Sequence, residues 1–445
     1  MDSKLNFYLL RSIFVGALGG LLFGFDTAVI AGTTHSITVV FRLSPAQLGL
    51  TVSIALWGTV LGSMFSGILG ERLGGRDSLR ILATCYLISA LGCAVAWNWP
   101  VLLLFRFVGG LGIGGSSVIG PVYIAEVAPA DWRGRLVGCF QINIVVGILL
   151  AYLSNYLIGL QATGLNNWRW DFGVAALPSL LFLIMLAGTP HSARWLCAKN
   201  RNSEARQVLA TLGSVSPESE LAEMASSVHS NHSANADGLF QSRYRKPIVL
   251  AVLIAMFNQL AGINALLYYL NDIFAMAGFD RLSGNLQAVA VGASNLVATF
   301  IALSLIDRLG RKKLLLIGSA GMVICLAGVA SIFYTHQHQG WLLFLIVADV
   351  GFFALSQGAV IWVYLSEIFP NRVRAKGQSL GSSVHWVMNA LVSAAFPLLA
   401  ARSAAYPFMF FTCMVALQFI VVLLVFPETK GISLELMQTR LGIAD

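Results

Sequence analysis

Two side chains in this sequence combine charge with surroundings that should forbid it. Asp26 lies in GGLLFGFDTAVIAG, residues 19–32, inside an apolar run from about Leu9 to Ile37. Arg106 lies deep inside a second apolar run that begins near Pro100. A charge at the centre of a bilayer costs about 2.5–3.5 kcal/mol on insertion scales, so it turns inward and takes a partner. If both runs are membrane-spanning helices, the acid lies about eight residues below the outer end of its helix and the base about six below the same face. At 1.5 Å per residue those depths are roughly 12 and 9 Å, so the two can meet. Burial favours the protonated form of a carboxylate and a neighbouring guanidinium favours the ionised one. A motion that changed their separation would therefore load and release a proton. A static structural ion pair is the other reading these residues allow.

A second group is neutral. FNQLAGINALLYY, residues 257–269, carries Asn258, Gln259 and Asn264 among apolar residues. On an ideal helix these point roughly 0°, 100° and 240° around the axis. Either polar neighbours surround the helix, or it breaks near Gly262 as discontinuous transporter helices do beside a substrate. Amides both donate and accept, which suits a ligand with many hydroxyls. Gln141, Asn295 and Asn389 extend the supply, and Trp362 and Trp386 offer flat faces for a sugar ring. Any one of these residues alone would read as interhelical bonding or packing; their joint presence in five spans points to a ligand.

The elements that must hold these groups follow from composition. Of 445 residues, 57% are hydrophobic and 11% charged, against about 25% charged in ordinary soluble domains. Twelve apolar runs are long enough to cross a bilayer, at roughly 9–34, 47–70, 79–97, 100–124, 135–158, 168–188, 247–274, 285–306, 313–334, 341–366, 377–399 and 405–426. The expected architecture is an all-α membrane protein with no cleaved leader. With the N-terminus inside, the outer loops carry only Arg42, Arg169, Arg281 and Arg402, and nearly all other Lys and Arg are cytoplasmic, as the positive-inside rule requires. The net charge of +8 is thereby explained by topology and not by nucleic acid. Six cysteines at 85, 93, 139, 197, 325 and 413 lack metal-ligand spacing and read as small core residues. No metal or cofactor is expected.

The chain divides into a six-span half at 1–190, a cytoplasmic linker at 191–246 with short amphipathic helices, a second six-span half at 247–427 and a tail at 428–445. In the linker, His229 and His232 read as solvated residues and not as ligands. The halves repeat. YIAEVAPADWRGR from Tyr123 aligns with YLSEIFPNRVRAK from Tyr364 at an offset of 241, and ERLGGR at 71–76 with DRLGRK at 307–312 at an offset of 236. Paired homologous halves around a central site are a transporter plan. The repeated acids and bases, Glu71 with Arg72, Glu126 with Arg133, Asp307 with Arg308 and Glu367 with Arg374, all fall on the inner face. There they can bind each other and the partial charges of helix ends, forming an inner-gate latch; the other reading is that they are topology signals alone. The G-x-G-x-x-G at Gly110, Gly112 and Gly115 lies within a span, so close helix packing explains it better than a dinucleotide.

Taken together, GGLLFGFDTAVIAG, RFVGGLGIGG, PVYIAEVAPADWRGR, NQLAGINALLYY, LIDRLGRKK, WVYLSEIFPNRVRAKG and PETKG resemble the sugar porter family of the major facilitator superfamily, from Gly19 to about Gly431. The resemblance implies two pseudo-symmetric six-helix halves, alternating access and a monosaccharide substrate. It implies sugar contacts at Gln141, Asn258, Gln259, Asn264, Asn295, Trp362 and Asn389, with Trp386 nearby and Tyr268 and Tyr269 as the outer gate. Asp26 and Arg106 match the pair that proton-coupled members keep, which favours a symporter over a facilitator. Four departures stand out. Asn258 replaces the first Gln of a Gln-Gln pair, and His385 replaces an amide before Trp386. His191 replaces a Glu, and ERLGGR replaces DRxGRR, so a weaker inner latch is expected in the N-terminal half. Asp349 has no family role and reads as a second ionisable site or, in preference, as a buried hydrogen-bonded acid. The expected function is proton-coupled import of a hexose or pentose by a monomer in a bacterial inner membrane, with both termini cytoplasmic and no enzymatic activity. A sugar-sensing receptor would need a signalling tail, whereas about 18 residues follow Pro427; a drug exporter would not need the amides.

Overall fold

The computed structural model describes residues 6–129, 132–161, 164–214, 216–224, 238–370, 372–432 and 434–443. Every regular element among them is helical, as lipid demands of a chain that must satisfy its backbone internally. The first half contains α1 (Phe7–Phe41), α2 (Pro45–Val95), α3 (Trp99–Val127), α4 (Arg133–Leu160), α5 (Asn167–Gly173) and α6 (Ala176–Ala187). The linker holds α7 (Ala193–Ala198), α8 (Asn202–Thr211) and α9 (217–224). The second half contains α10 (Arg245–Leu260), α11 (Ile263–Tyr268), α12 (Leu270–Met276), α13 (Arg281–Leu309), α14 (Arg311–Thr335), α15 (Leu342–Phe353), α16 (Ala359–Glu367), α17 (Arg374–Ala400) and α18 (Ala405–Val425), and the tail forms α19 (Leu434–Leu441). Eleven of the helical stretches are long and apolar enough to span a membrane. One of them, α2, is broken at Gly74 (φ 77°, ψ 163°) and supplies two spans, so the expected twelve are present. The protein is a multi-pass membrane protein.

The break at Gly74 has a twin. Gly310, its partner at the offset of 236, adopts φ 88° and ψ 164° between α13 and α14. The repeat visible in sequence is thus a repeat of a left-handed turn that side chains other than glycine rarely adopt.

The chain forms two compact units. The first comprises residues up to Thr27, Trp57–Ala151 and the segment from Arg169 through the linker. Its core joins Leu18, Leu82, Ile113, Tyr123, Phe140 and Phe182. In the linker, Leu196 and Leu209 are buried against each other's helices, and Leu212 joins the main core. The second unit comprises Ala28–Leu56, Tyr152–Trp168 and the chain after the linker. Its core runs through Tyr244, Leu315, Tyr364, Phe369 and Phe426, and receives Met437, Leu441 and Ile443 from the tail. The outer ends of α1, α2 and α4 therefore pack with C-terminal helices, so the compact units do not follow the six-plus-six division of the sequence. His229 and His232 lie outside the described residues.

Candidate proton-coupling and sugar-binding site

The charged pair forms within the first unit. Asn98 caps α3, its side chain accepting from the Val101 amide at 2.9 Å, with Pro100 in the first turn. That start fixes the depth of Arg106, whose Nη1 lies 3.3 and 3.4 Å from the two carboxylate oxygens of Asp26. Arg106 is 3% exposed and Asp26 16%. The guanidinium also lies over the Phe172 ring, 5.5 Å from its centroid, a cation–π contact that helps offset desolvation. These bonds are longer than the 2.7–2.9 Å of a tight charge-assisted pair, and the acid remains the more accessible member. On α3, Gly109 leaves room beside the acid, since a Cβ there would stand 3.9 Å from Asp26 Oδ1, and α1 also packs tightly on α4, where a Cβ on Gly24 would stand 1.8 Å from the Ile144 carbonyl oxygen. The glycines of the G-x-G-x-x-G run pack likewise; a Cβ on Gly115 would strike Leu82 at 2.3 Å.

The amides form a row within the second unit. The helix does break at Gly262, where φ is 82°, and polar neighbours surround it as well. Asn264 Nδ2 donates to Gln259 Oε1 at 2.9 Å, and Gln259 Nε2 donates to Asn258 Oδ1 at 2.9 Å. Gln259 Nε2 also lies 3.2 and 3.3 Å from the two ring nitrogens of His385. Trp362 and Trp386 flank that imidazole, with ring centroids at 5.2 and 5.1 Å. Asn258 and Gln259 are buried, Asn264 and Trp362 more open. Asn389 donates to the Tyr268 hydroxyl at 3.2 Å, while Tyr269 donates to the Ser393 carbonyl at 3.0 Å and stacks on Phe396. Asn295 is buried on α13 outside this row, and Gln141 is half-buried on α4 in the first unit. Asp349 is buried, yet neither carboxylate oxygen has a hydrogen-bond partner among the described residues, contrary to the expectation of a hydrogen-bonded acid.

The structure adds polar contacts that the sequence did not single out. At the outer ends, Tyr152 donates to the Leu267 carbonyl at 2.8 Å, Asn155 to the Val29 carbonyl at 3.3 Å and Asn285 to the Asn155 carbonyl at 3.3 Å, and Asn271 bonds Asn285. Isolated asparagines carry no period that would mark them.

At the inner ends the pairing differs from that suggested by the motifs. Glu367 binds Arg311, through Nη2 at 2.8 Å and Nε at 3.1 Å, and not Arg374. Thr429 also donates to Glu367, at 2.6 Å. The turn at Gly310 places Arg311 in the first turn of α14 beside the end of α16, whereas Arg374 Nε only reaches the Phe369 carbonyl at 3.5 Å. Glu428 accepts from the backbone amides of Arg311, Lys312, Thr429 and Lys430 at 2.9–3.1 Å. Burial opposes its charge, but these four amides outweigh that and hold its carboxyl below the usual range. Arg308 accepts from Lys430 through its carbonyl, at 2.6 Å, and the Asp307 side chain lies outside what the structure describes. In the first unit, Glu126 has Ser192 as its hydrogen-bond partner and feels the charge of Arg194, while Arg133 donates to the Ala125 carbonyl at 2.9 Å. Glu71 and Arg72 are exposed, the carbonyl of Glu71 accepting from Trp195 Nε1 at 3.1 Å.

Twelve spans in repeated halves, with a buried ion pair in one unit and an amide row in the other, define a secondary transporter. Residues 12–441 match the family described as sugar (and other) transporters. The chain is 35% identical to the D-xylose-proton symporter of Escherichia coli over 96% of its length and 94% of the relative's. It is also 35% identical to the arabinose-proton symporter of Bacillus subtilis, over 97% and 94%. Among solved structures it resembles the xylose transporter XylE of Escherichia coli in an inward-open conformation, with a TM-score of 0.87 and 34% identity over 97% of this chain and all of that one. XylE bound to 6-bromo-6-deoxy-D-glucose matches with a TM-score of 0.78. The chain belongs to the sugar porter family of the major facilitator superfamily, and is a transporter and not an enzyme.

Proposed function

We propose that this protein imports a hexose or pentose together with protons by alternating access. The observation that carries the reading is the contact of Asp26 with Arg106 at 3.3 Å, in a chain whose relatives include a D-xylose-proton and an arabinose-proton symporter. In this reading Asp26 takes up a proton when the guanidinium withdraws and gives it back when the pair closes. The amide row begun by Asn258 binds sugar hydroxyls through Gln259 and Asn264, together with Gln141, Asn295 and Asn389; His385, Trp362 and Trp386 line the ring faces, and Tyr268 and Tyr269 close the outer side. The halves 1–190 and 247–427 move against each other, with the linker 191–246 and tail 428–445 on the cytoplasmic side of a bacterial inner membrane. The repeated inner acids and bases, from Glu71 and Arg72 to Glu367 and Arg374, are the inner gate, strengthened by Arg311 and Glu428. The working unit is a monomer in lipid.

The test is uptake of labelled D-glucose, D-galactose, D-xylose and L-arabinose into proteoliposomes, with and without an inward proton gradient. Accumulation above the outside concentration, abolished by a protonophore, is expected. Equilibration indifferent to the gradient would make the protein a facilitator and Asp26 a structural ion-pair member.

A further inference from the structure

Asparagine and glutamine side chains are nearly symmetric in shape, so a row of them can run in either direction unless a group that cannot turn over fixes one end. Such a group is present. Between α15 and α16 the chain widens into a single π-turn, Ala354–Gly358, a feature frequent at functional sites. The backbone carbonyl of Gln357 in that turn accepts from Asn258 Nδ2 at 3.3 Å. A carbonyl can only accept, so Asn258 must aim its amide nitrogen there and its oxygen at Gln259. Gln259 then aims its nitrogen at Asn258 and its oxygen at Asn264, and Asn264 must give its nitrogen to Gln259. The side chain of Gln357 ties the turn to α18, donating to Gln418 Oε1 at 2.9 Å. All these groups except Asn264 are buried, and both ends of the Asn258 amide are occupied by protein partners.

We propose that Asn258 is a positioning residue: anchored on the carbonyl of the π-turn, it fixes the direction of the amide row, so that Asn264 offers its side-chain oxygen, an acceptor, to a sugar hydroxyl. The inference rests on the sugar-binding reading above and deepens it. It makes Asn258 a determinant of specificity acting through Gln259 and Asn264, and it requires His385 to meet the Gln259 nitrogen with a ring lone pair, as a neutral imidazole does.

The experiment uses purified protein in proteoliposomes and whichever of the four labelled sugars is taken up, competed by its deoxy and deoxyfluoro analogues at each hydroxyl position. Fluorine can accept a hydrogen bond but cannot donate one. Wild-type protein should show one ring position at which the deoxy and deoxyfluoro sugars are equally weak, about tenfold below the parent, the worth of one hydrogen bond. In Asn258→Leu the Gln259 and Asn264 amides can turn over, so at that position the fluoro sugar should become several-fold better than its deoxy twin, with KM changing more than Vmax. Asn258→Gln keeps both a donor and an acceptor and should retain the wild-type pattern. The proposal fails if wild-type protein favours the fluoro sugar at every sensitive position. It fails equally if Asn258→Leu weakens all analogues by one factor with the pattern intact. Should Asn258→Leu not fold, the wild-type series decides alone. Uptake of none of the four sugars would overturn the transport reading itself, whereas uptake with the wrong analogue pattern overturns only the direction of the row.

Discussion

The inner ends of the two halves are built on one template and charged differently. In the second unit, Tyr364 donates to the Pro427 carbonyl at 3.4 Å, and in the first Tyr123 donates to the Pro190 carbonyl at 2.8 Å. Glu367 with Thr429 corresponds to Glu126 with Ser192, and the turn at Gly310 to the turn at Gly74. The differences begin one residue later. Arg311, which grips Glu367, is matched by Gly75; Glu428, which caps α14, by His191; and Lys313 by Asp77. His191 stacks on Trp195 at 4.7 Å and lies 3.5 Å from Asp77. Burial disfavours charge on Asp77, but Arg76, His191 and Arg80 outweigh that and hold its carboxyl below the usual range. Burial, then the charge of Arg76, pushes His191 down, with Asp77 opposing. At corresponding positions the second half thus carries an acid (Glu428) where the first carries a base (His191), and a base (Lys313) where the first carries an acid (Asp77). A fold can keep its turns and its tyrosine anchors while the charges at the flanking positions change sign, because the turns depend on backbone geometry and the charges only on local complementarity. The membrane-embedded groups contrast more strongly still: a charged pair in one unit, a neutral amide row in the other.

That contrast predicts the largest effect. If the charge carries the coupling, as proposed, Asp26→Asn should reduce the accumulation ratio of labelled sugar to one while sugar exchange persists; undiminished accumulation would dissolve the distinction between the units. The inner ends should differ next. Glu367→Gln leaves Arg311, 10% exposed, without its counter-charge, and should cost about 2–3 kcal/mol, at or below the lower end for breaking a buried pair. Glu126→Gln has no equivalent arginine to strand and should cost under about 1 kcal/mol. Unfolding of the two variants in detergent checks the ratio, and equal losses would remove the asymmetry. The sign exchange is smaller. His191→Glu alone sets two acids together, Asp77→Lys alone adds a base beside Arg76 and Arg80, and the double variant puts opposite charges back at the two positions, with the signs found at residues 428 and 313. A double-mutant cycle should give a coupling of roughly 0.5–1 kcal/mol, limited by the exposure of Asp77. The smallest effect is in pH. A histidine whose pKa falls on folding stabilises fully above its unfolded value near 6.5, and that stability is lost as pH falls toward the folded value. The melting temperature of wild-type protein should therefore drop more steeply on acidification below pH 6.5 than that of His191→Gln.

Some of the geometry around these residues was legible. Asp26 and Arg106 could be paired because helix rise converts residue counts into depth, and both spans have ends that composition marks. The break at Gly262 was legible as one of two alternatives, since three amides on no common stripe demand either a break or surrounding partners; both occur. The partner of Glu367 was not legible. Arg374 lies in its own motif, whereas Arg311 belongs to another loop and arrives through a glycine turn whose direction no charge pattern reveals. Gln357 and Gln418 were invisible for a similar reason: a π-turn has no period of its own in a run of apolar residues.

The twelve membrane spans, the repeat of the halves and the side chains too polar for lipid follow from sequence, because they depend on the solvent and on covalent order. The tertiary structure alone decided which acid meets which base, which way the amide row runs and which outer ends join which unit. Those outcomes depend on distances between residues far apart in the chain, set by close glycine contacts and a single π-turn.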